Sequence, residues 1–154
     1  MTGRTKVVVV TGGARGIGLA YCERFAADGY AVVIADLLDD EGERAAETLR
    51  KNGAMAAFAR CDVTNRAQVE AAMSLAVTEF GGLDVCIANA GVLDEGHFLD
   101  LTEDAFDRVM GVNVKGVFLS GQAAAREMIA CGNGGVIINI ASTVAVLAVE
   151  FEGF

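Results

Sequence analysis

Proline is absent from the 154 residues, histidine occurs once and tyrosine twice, and twelve lysines and arginines face twenty-one aspartates and glutamates. Average usage would supply about seven or eight prolines. The resulting formal charge of −9 has the wrong sign for a surface that binds nucleic acid by releasing counterions, and suits an anionic membrane no better. Neither is expected as a partner. Cys22, Cys61, Cys86 and Cys131 stand far apart without a C-x-x-C pair, and His97 is the one imidazole that could join them. No metal site is therefore expected; the four read as small buried hydrophobes of a reducing compartment. The apolar run behind Arg4 and Lys6 spans only Val7 to Val10, too short for a signal peptide. Residues 128–149 carry no charge, but Gly132, Asn133, Gly134 and Gly135 interrupt them, and the apolar stretch beyond Gly135 is too short to cross a bilayer. A cytoplasmic protein is the default expectation.

What the chain does have is apolar residues, 53% of the total, enough for one domain to bury a core without a disulfide or metal. Two periodicities alternate along it. Val7 to Val10, Ala31 to Ala35, Met55 to Cys61, Val85 to Ala88 and Val136 to Ile140 are short apolar runs that predict five buried strands. Their near-continuous hydrophobicity predicts a parallel sheet covered on both faces. Between them lie helical patterns. Gly18, Cys22, Phe25 and Ala26 share one face; Val69, Ala72, Met73, Ala76, Val77 and Phe80 share another, opened by a capping box at Asn65 and Gln68 and closed by Gly81-Gly82. The charged stretch after Asp39 predicts an outer helix with Ala45, Ala46 and Leu49 inward and Glu47 paired to Lys51. A longer helix from Thr102 should turn Phe106, Val109, Met110, Asn113 and Val117 inward. Five strands and four helices in alternation predict an α/β doubly wound parallel sheet of Rossmann type, with ligands at the C-terminal strand ends.

The first strand runs into Thr11-Gly12-Gly13-Ala14-Arg15-Gly16-Ile17-Gly18. Lacking Cβ atoms, such a loop lets backbone N–H groups at a helix N-terminus approach a pyrophosphate, whose charge the helix dipole favours. Asp36, 18 residues after Gly18 at the end of the second strand, stands where a carboxylate can accept hydrogen bonds from an adenosine ribose. The same carboxylate would repel a 2′-phosphate.

With these residues in view the chain resembles the short-chain dehydrogenase/reductases of the smaller, non-extended type. Gly12-x-x-x-Gly16-x-Gly18, Cys61-Asp62-Val63, Asn89-Ala90-Gly91, Val112-Asn113-Val114-Lys115-Gly116 and Ile138-Asn139-Ile140-Ala141-Ser142 match its motifs in order. The resemblance implies an oxidoreductase moving a hydride between a nicotinamide cofactor and a secondary alcohol or ketone; under it Asp36 favours NAD over NADP, Arg15 argues the other way, and Leu37 and Leu38 offer no second cation. It implies that Gly12, Arg15, Gly16, Ile17, Gly18 and Asp36 hold the cofactor with Asp62 and Val63 at the adenine, and that the cofactor passes over Asn89, Ala90 and Gly91. It makes Ser142 the hydroxyl that bonds the substrate oxygen and Asn113 the support of a proton-relay water. The long helix resembles one that packs between subunits, so a homo-oligomer is expected. His97 reads as a loop residue.

The family's Tyr-x-x-x-Lys pair is not found, since Tyr21 is followed four residues later by Phe25 and Tyr30 by Ile34, and both come too early. The tyrosine falls roughly a dozen residues after the serine in similar proteins, and Phe154 is twelve residues after Ser142. The expectation is therefore the N-terminal part of a longer enzyme, with roughly another hundred residues beyond it, inactive alone. The missing prolines would lie there. A nucleotide-binding module without chemistry is the second reading; a sugar epimerase, which prefers another glycine spacing, is the third.

Overall fold

The computed structural model describes residues 4–94, 96–132 and 134–142. Five strands, β1 (Val7–Thr11), β2 (Ala31–Asp36), β3 (Ala56–Arg60), β4 (Val85–Ala88) and β5 (Val136–Asn139), form one parallel sheet in the order β3-β2-β1-β4-β5. The apolar runs place every strand to within two residues at either end. The helices are α1 (Gly16–Ala27), α2 (Asp39–Lys51), α3 (Arg66–Phe80) and a long run made of α4 (Glu103–Met110), wide π-helical turns at Gly111–Gly116, and α5 (Val117–Ala130). The expected doubly wound α/β architecture is what the chain adopts.

Successive strand side chains point to opposite sides, and β1, β2 and β4 are buried on both faces; β3 is mostly half-buried and β5 is exposed. Val7, Val9, Ala31, Val33 and Ala35 pack with Val69, Ala72, Met73 and Ala76 of α3 and Leu119, Ala123, Ala124 and Met128 of α5. Val8, Val10, Val32 and Ile34 pack with Cys22 of α1 and Ala45, Ala46 and Leu49 of α2. The order reverses between β1 and β4, so a crevice opens at the C-terminal ends of those two strands.

Local signals set the helix ends. Asn65 Oδ1 accepts from the N–H groups of Ala67 (3.0 Å) and Gln68 (3.3 Å), and Gly81 closes α3 at φ 81°. The box is half made: Gln68 Oε1 accepts from Asp62 N (2.8 Å) instead of reaching back to Asn65, because Asn65 N is taken by the Asp62 carbonyl. On α2 Glu47 pairs with Lys51 at 2.8 Å as expected.

Two expectations fail: β5, expected to be buried, is exposed because among the described residues nothing pairs with its outer edge, and the long helix does not turn its apolar stripe inward. Phe106 is 62% exposed, Met110 40%, and Asn113 is exposed as well, with Val109 and Val117 half-buried. The buried face starts later, at Gly116, Leu119, Ser120, Ala123, Ala124 and Met128, since the sheet and α3 lie under α5 and not under α4. A periodic stripe shows that a helix has an apolar face, not that something covers it.

Ile34→Ala should cost about 2–5 kcal/mol by core cavity formation, and Asn65→Ala about 1 kcal/mol by loss of the cap. Urea unfolding followed by circular dichroism measures both.

Candidate functional site

The crevice is a cleft of about 390 Å³. All eleven residues expected at a cofactor line it: Gly12, Arg15, Gly16, Ile17, Gly18, Asp36, Asp62, Val63, Asn89, Ala90 and Gly91. Leu37, Leu38, Cys61, Val92 and Val112 line it too, and sequence reasoning did not place these at the cofactor; Leu37 and Leu38 simply come after Asp36, whereas Val112 is brought there by the π-helical turns.

The glycine loop is shaped by contact with its surroundings. A Cβ on Gly18 would stand 2.0 Å from the Gly12 carbonyl oxygen, so only glycine lets α1 start this close to β1. Gly16 differs: its φ of +57° demands glycine while a Cβ would meet nothing within 4 Å, leaving open space at the tip of α1. Among the described residues no side chain caps α1, and its first turn has no acid. Its leading N–H groups thus face the cleft in the arrangement that suits a phosphate. A dinucleotide fits these residues: an uncapped helix start over an open glycine turn, with a carboxylate 18 positions on.

Asp36 is half-buried at the end of β2. Its Oδ2 accepts from Ala14 N at 2.9 Å and its Oδ1 from Leu38 N at 3.1 Å, which ties the glycine loop to the turn before α2. A carboxylate has about four acceptor sites, so capacity remains toward the cleft. Asp62 is a turn residue, accepting from Thr64 N (2.9 Å) and Thr64 Oγ1 (2.7 Å). Asn89 donates to the carbonyls of Thr11 (3.0 Å) and Gly12 (3.2 Å). Thr11, read only as the residue that opens the glycine motif, organises the strand ends. It is 1% exposed, and its hydroxyl donates to Ile87 O and accepts from Asn89 N and Ala90 N. Its signal was a hydroxyl ending a run of four valines.

Asn113 and Ser142 are not among the described residues lining the cleft. Asn113 stands beside it: a Cβ on Gly91 would lie 3.5 Å from its Oδ1. Its amide clasps Val92, with Nδ2 donating to Val92 O (2.8 Å) and Oδ1 accepting from Val92 N (2.9 Å). Ser142 is exposed, just past the C-terminal end of β5 and so on the cleft's edge of the sheet. His97 is a loop residue, its Nδ1 accepting from Leu99 N.

A profile of the family described as short chain dehydrogenase matches residues 6–153. The chain belongs to that family. This short-chain dehydrogenase sequence is 39% identical over 137 residues to galactitol 2-dehydrogenase of Agrobacterium fabrum, covering 89% of this chain and 52% of the relative. It is 41% identical over 145 residues to L-2,3-butanediol dehydrogenase of Corynebacterium glutamicum, covering 92% of this chain and 56% of the relative. A crystal structure of a short chain dehydrogenase/reductase from Burkholderia phymatum in complex with NAD matches it with a TM-score of 0.89 at 34% identity, covering 94% of this chain and 52% of that one. The chain thus spans about half the length of these short-chain dehydrogenase relatives. Among the described residues no helix is long and apolar enough to cross a membrane.

Burial pushes the thiols of Cys22, Cys61 and Cys86 from the usual 9.0 up to about 12, so Cys61 meets the cleft as a neutral, apolar group. A thiol that is a weaker acid folded than unfolded holds its proton longer in the native state. Stability is therefore full below the unfolded value and declines as pH rises past it. Urea midpoints should fall between about pH 8 and pH 10. At about pH 8 a disulfide thiol reagent should label the half-buried Cys131 quickly and the three buried thiols only after denaturation.

Proposed function

We propose that the chain binds NAD, in preference to NADP, as the cofactor half of an oxidoreductase that interconverts a secondary alcohol and a ketone. The observation that carries this reading is Asp36, a carboxylate with spare acceptor capacity at the end of β2, on a cleft that the uncapped start of α1 also lines. When bound, a nicotinamide cofactor accepts or donates the hydride. The chain's own residues do the rest. Gly12, Gly16, Ile17 and Gly18 would take the pyrophosphate on the backbone, with Asp36 at the adenosine ribose and Asp62 and Val63 at the adenine. Asn89, Ala90 and Gly91 would form the floor over β4.

Ser142 is the hydroxyl that would donate to the substrate oxygen and stabilise charge developing there. Asn113, after its two bonds to Val92, keeps a second amide hydrogen and a second lone pair with which to hold a relay water. The likeness to galactitol and butanediol dehydrogenases supports a small alcohol or ketone as the substrate class. Phe106, Met110, Val114 and Phe118 form an exposed apolar stripe along the long helix, which supports assembly into a homo-oligomer through that face. The 154 residues contain no Tyr-x-x-x-Lys, so the same reading has them bind cofactor without turnover.

Titration calorimetry with NAD and NADP tests it. NAD should bind more tightly, and Asp36→Asn, which removes the charge and keeps an acceptor for the backbone, should narrow the ratio about tenfold. Tighter binding of NADP, or of neither, would sink the reading.

A further inference from the structure

We propose that the Asp39–Arg60 ion pair is a second determinant of cofactor discrimination, holding away from the ribose 2′ position a cation that would otherwise welcome a phosphate there. The inference rests on the dinucleotide reading of the cleft. In the parallel pairing of β2 and β3, Asp36 and Arg60 are direct partners, so Arg60 springs from the edge strand beside the ribose carboxylate. Its guanidinium does not pair with Asp36. It meets the Asp39 carboxylate and donates to the Leu37 carbonyl at 3.2 Å, bracing from outside the turn whose inner side, Leu37 and Leu38, lines the cleft.

A 2′-phosphate entering this end would find Asp36 repelling it and Arg15 attracting it. Among the described residues Arg15 makes no ion pair and lines the cleft. A second arginine would complete the planar, multi-donor grip that suits phosphate. Arg60 is that arginine, and Asp39 occupies it. Both side chains are more than half exposed, so the pair contributes little to stability, and β3, as an edge strand, leaves the arginine room to swing. Asp39 is thus a positioning residue: it acts through Arg60 and need not touch the nucleotide.

The probes are ADP-ribose and 2′-phospho-ADP-ribose, which lack the nicotinamide and report binding without turnover. For Asp39→Asn, calorimetry should show about a tenfold gain in affinity for the 2′-phosphate probe, the size of one charge-assisted hydrogen bond at an exposed site, with ADP-ribose changed by less than about twofold. The gain should shrink between about 0.05 M and 0.5 M salt and vanish in the double variant Asp39→Asn/Arg60→Gln. An unchanged probe ratio in Asp39→Asn, or a gain that survives Arg60→Gln, would overturn the proposal while ADP-ribose binding still upheld the cleft. Failure of the unaltered chain to bind ADP-ribose would overturn the cleft reading, and the proposal with it.

Discussion

The central strand β1 has a neighbour on each edge and a helical layer on each face, and Val7 to Val10 are wholly removed from solvent, with Thr11 at 1% exposure. Each valine so buried is worth about 1.5–3 kcal/mol relative to exposure. β2, β4, α1 and α3 are placed by contact with this strand, and β3, β5, α2 and α5 build outward from those. Because β2 and β4 pair with opposite edges of β1, the chain must wind outward in both directions from it. That reversal is what leaves a crevice at its C-terminal end. The site is therefore a consequence of the same packing that holds the core.

At that end the run of valines gives way to a hydroxyl and then to glycines. Thr11 bonds Ile87, Asn89 and Ala90, locking the end of β4 against the end of β1. Gly12 and Gly18 then let α1 begin within touching distance of the loop. Asp36 adds a third tie, through Ala14 and Leu38. The cleft is thus held by side-chain hydrogen bonds at strand ends, where the ladders finish. This pre-formed geometry lowers the ordering cost of binding a long, charged ligand.

Much of this was legible beforehand, and for an identifiable reason. β1, β2 and β4 appear as apolar runs because strands covered on both faces demand them, and the glycine loop and Asp36 appear at fixed offsets because a βαβ unit has a nearly fixed length. Less legible were residues whose role depends on what lies opposite. Asp62 and Asn89 line the cleft, yet Asp62 Oδ1 also accepts from Thr64 and Asn89 Nδ2 donates to the Thr11 and Gly12 carbonyls. Gln68 looked like half of a capping box and instead holds Asp62.

By itself the sequence determined the alternation of strand and helix, the family, and the stations along the cleft, since these are set by periods and offsets within a few tens of residues. Only the tertiary structure decided that Phe106 and Met110 stay exposed, that the long helix widens at Gly111–Gly116, that Asn113 clasps Val92, and that Arg60 turns to Asp39 rather than to Asp36 beside it. In the last two cases the partners lie 21 residues apart. Which of several polar groups a side chain meets at that separation is set by how strands register and helices pack, a choice that local pattern does not contain.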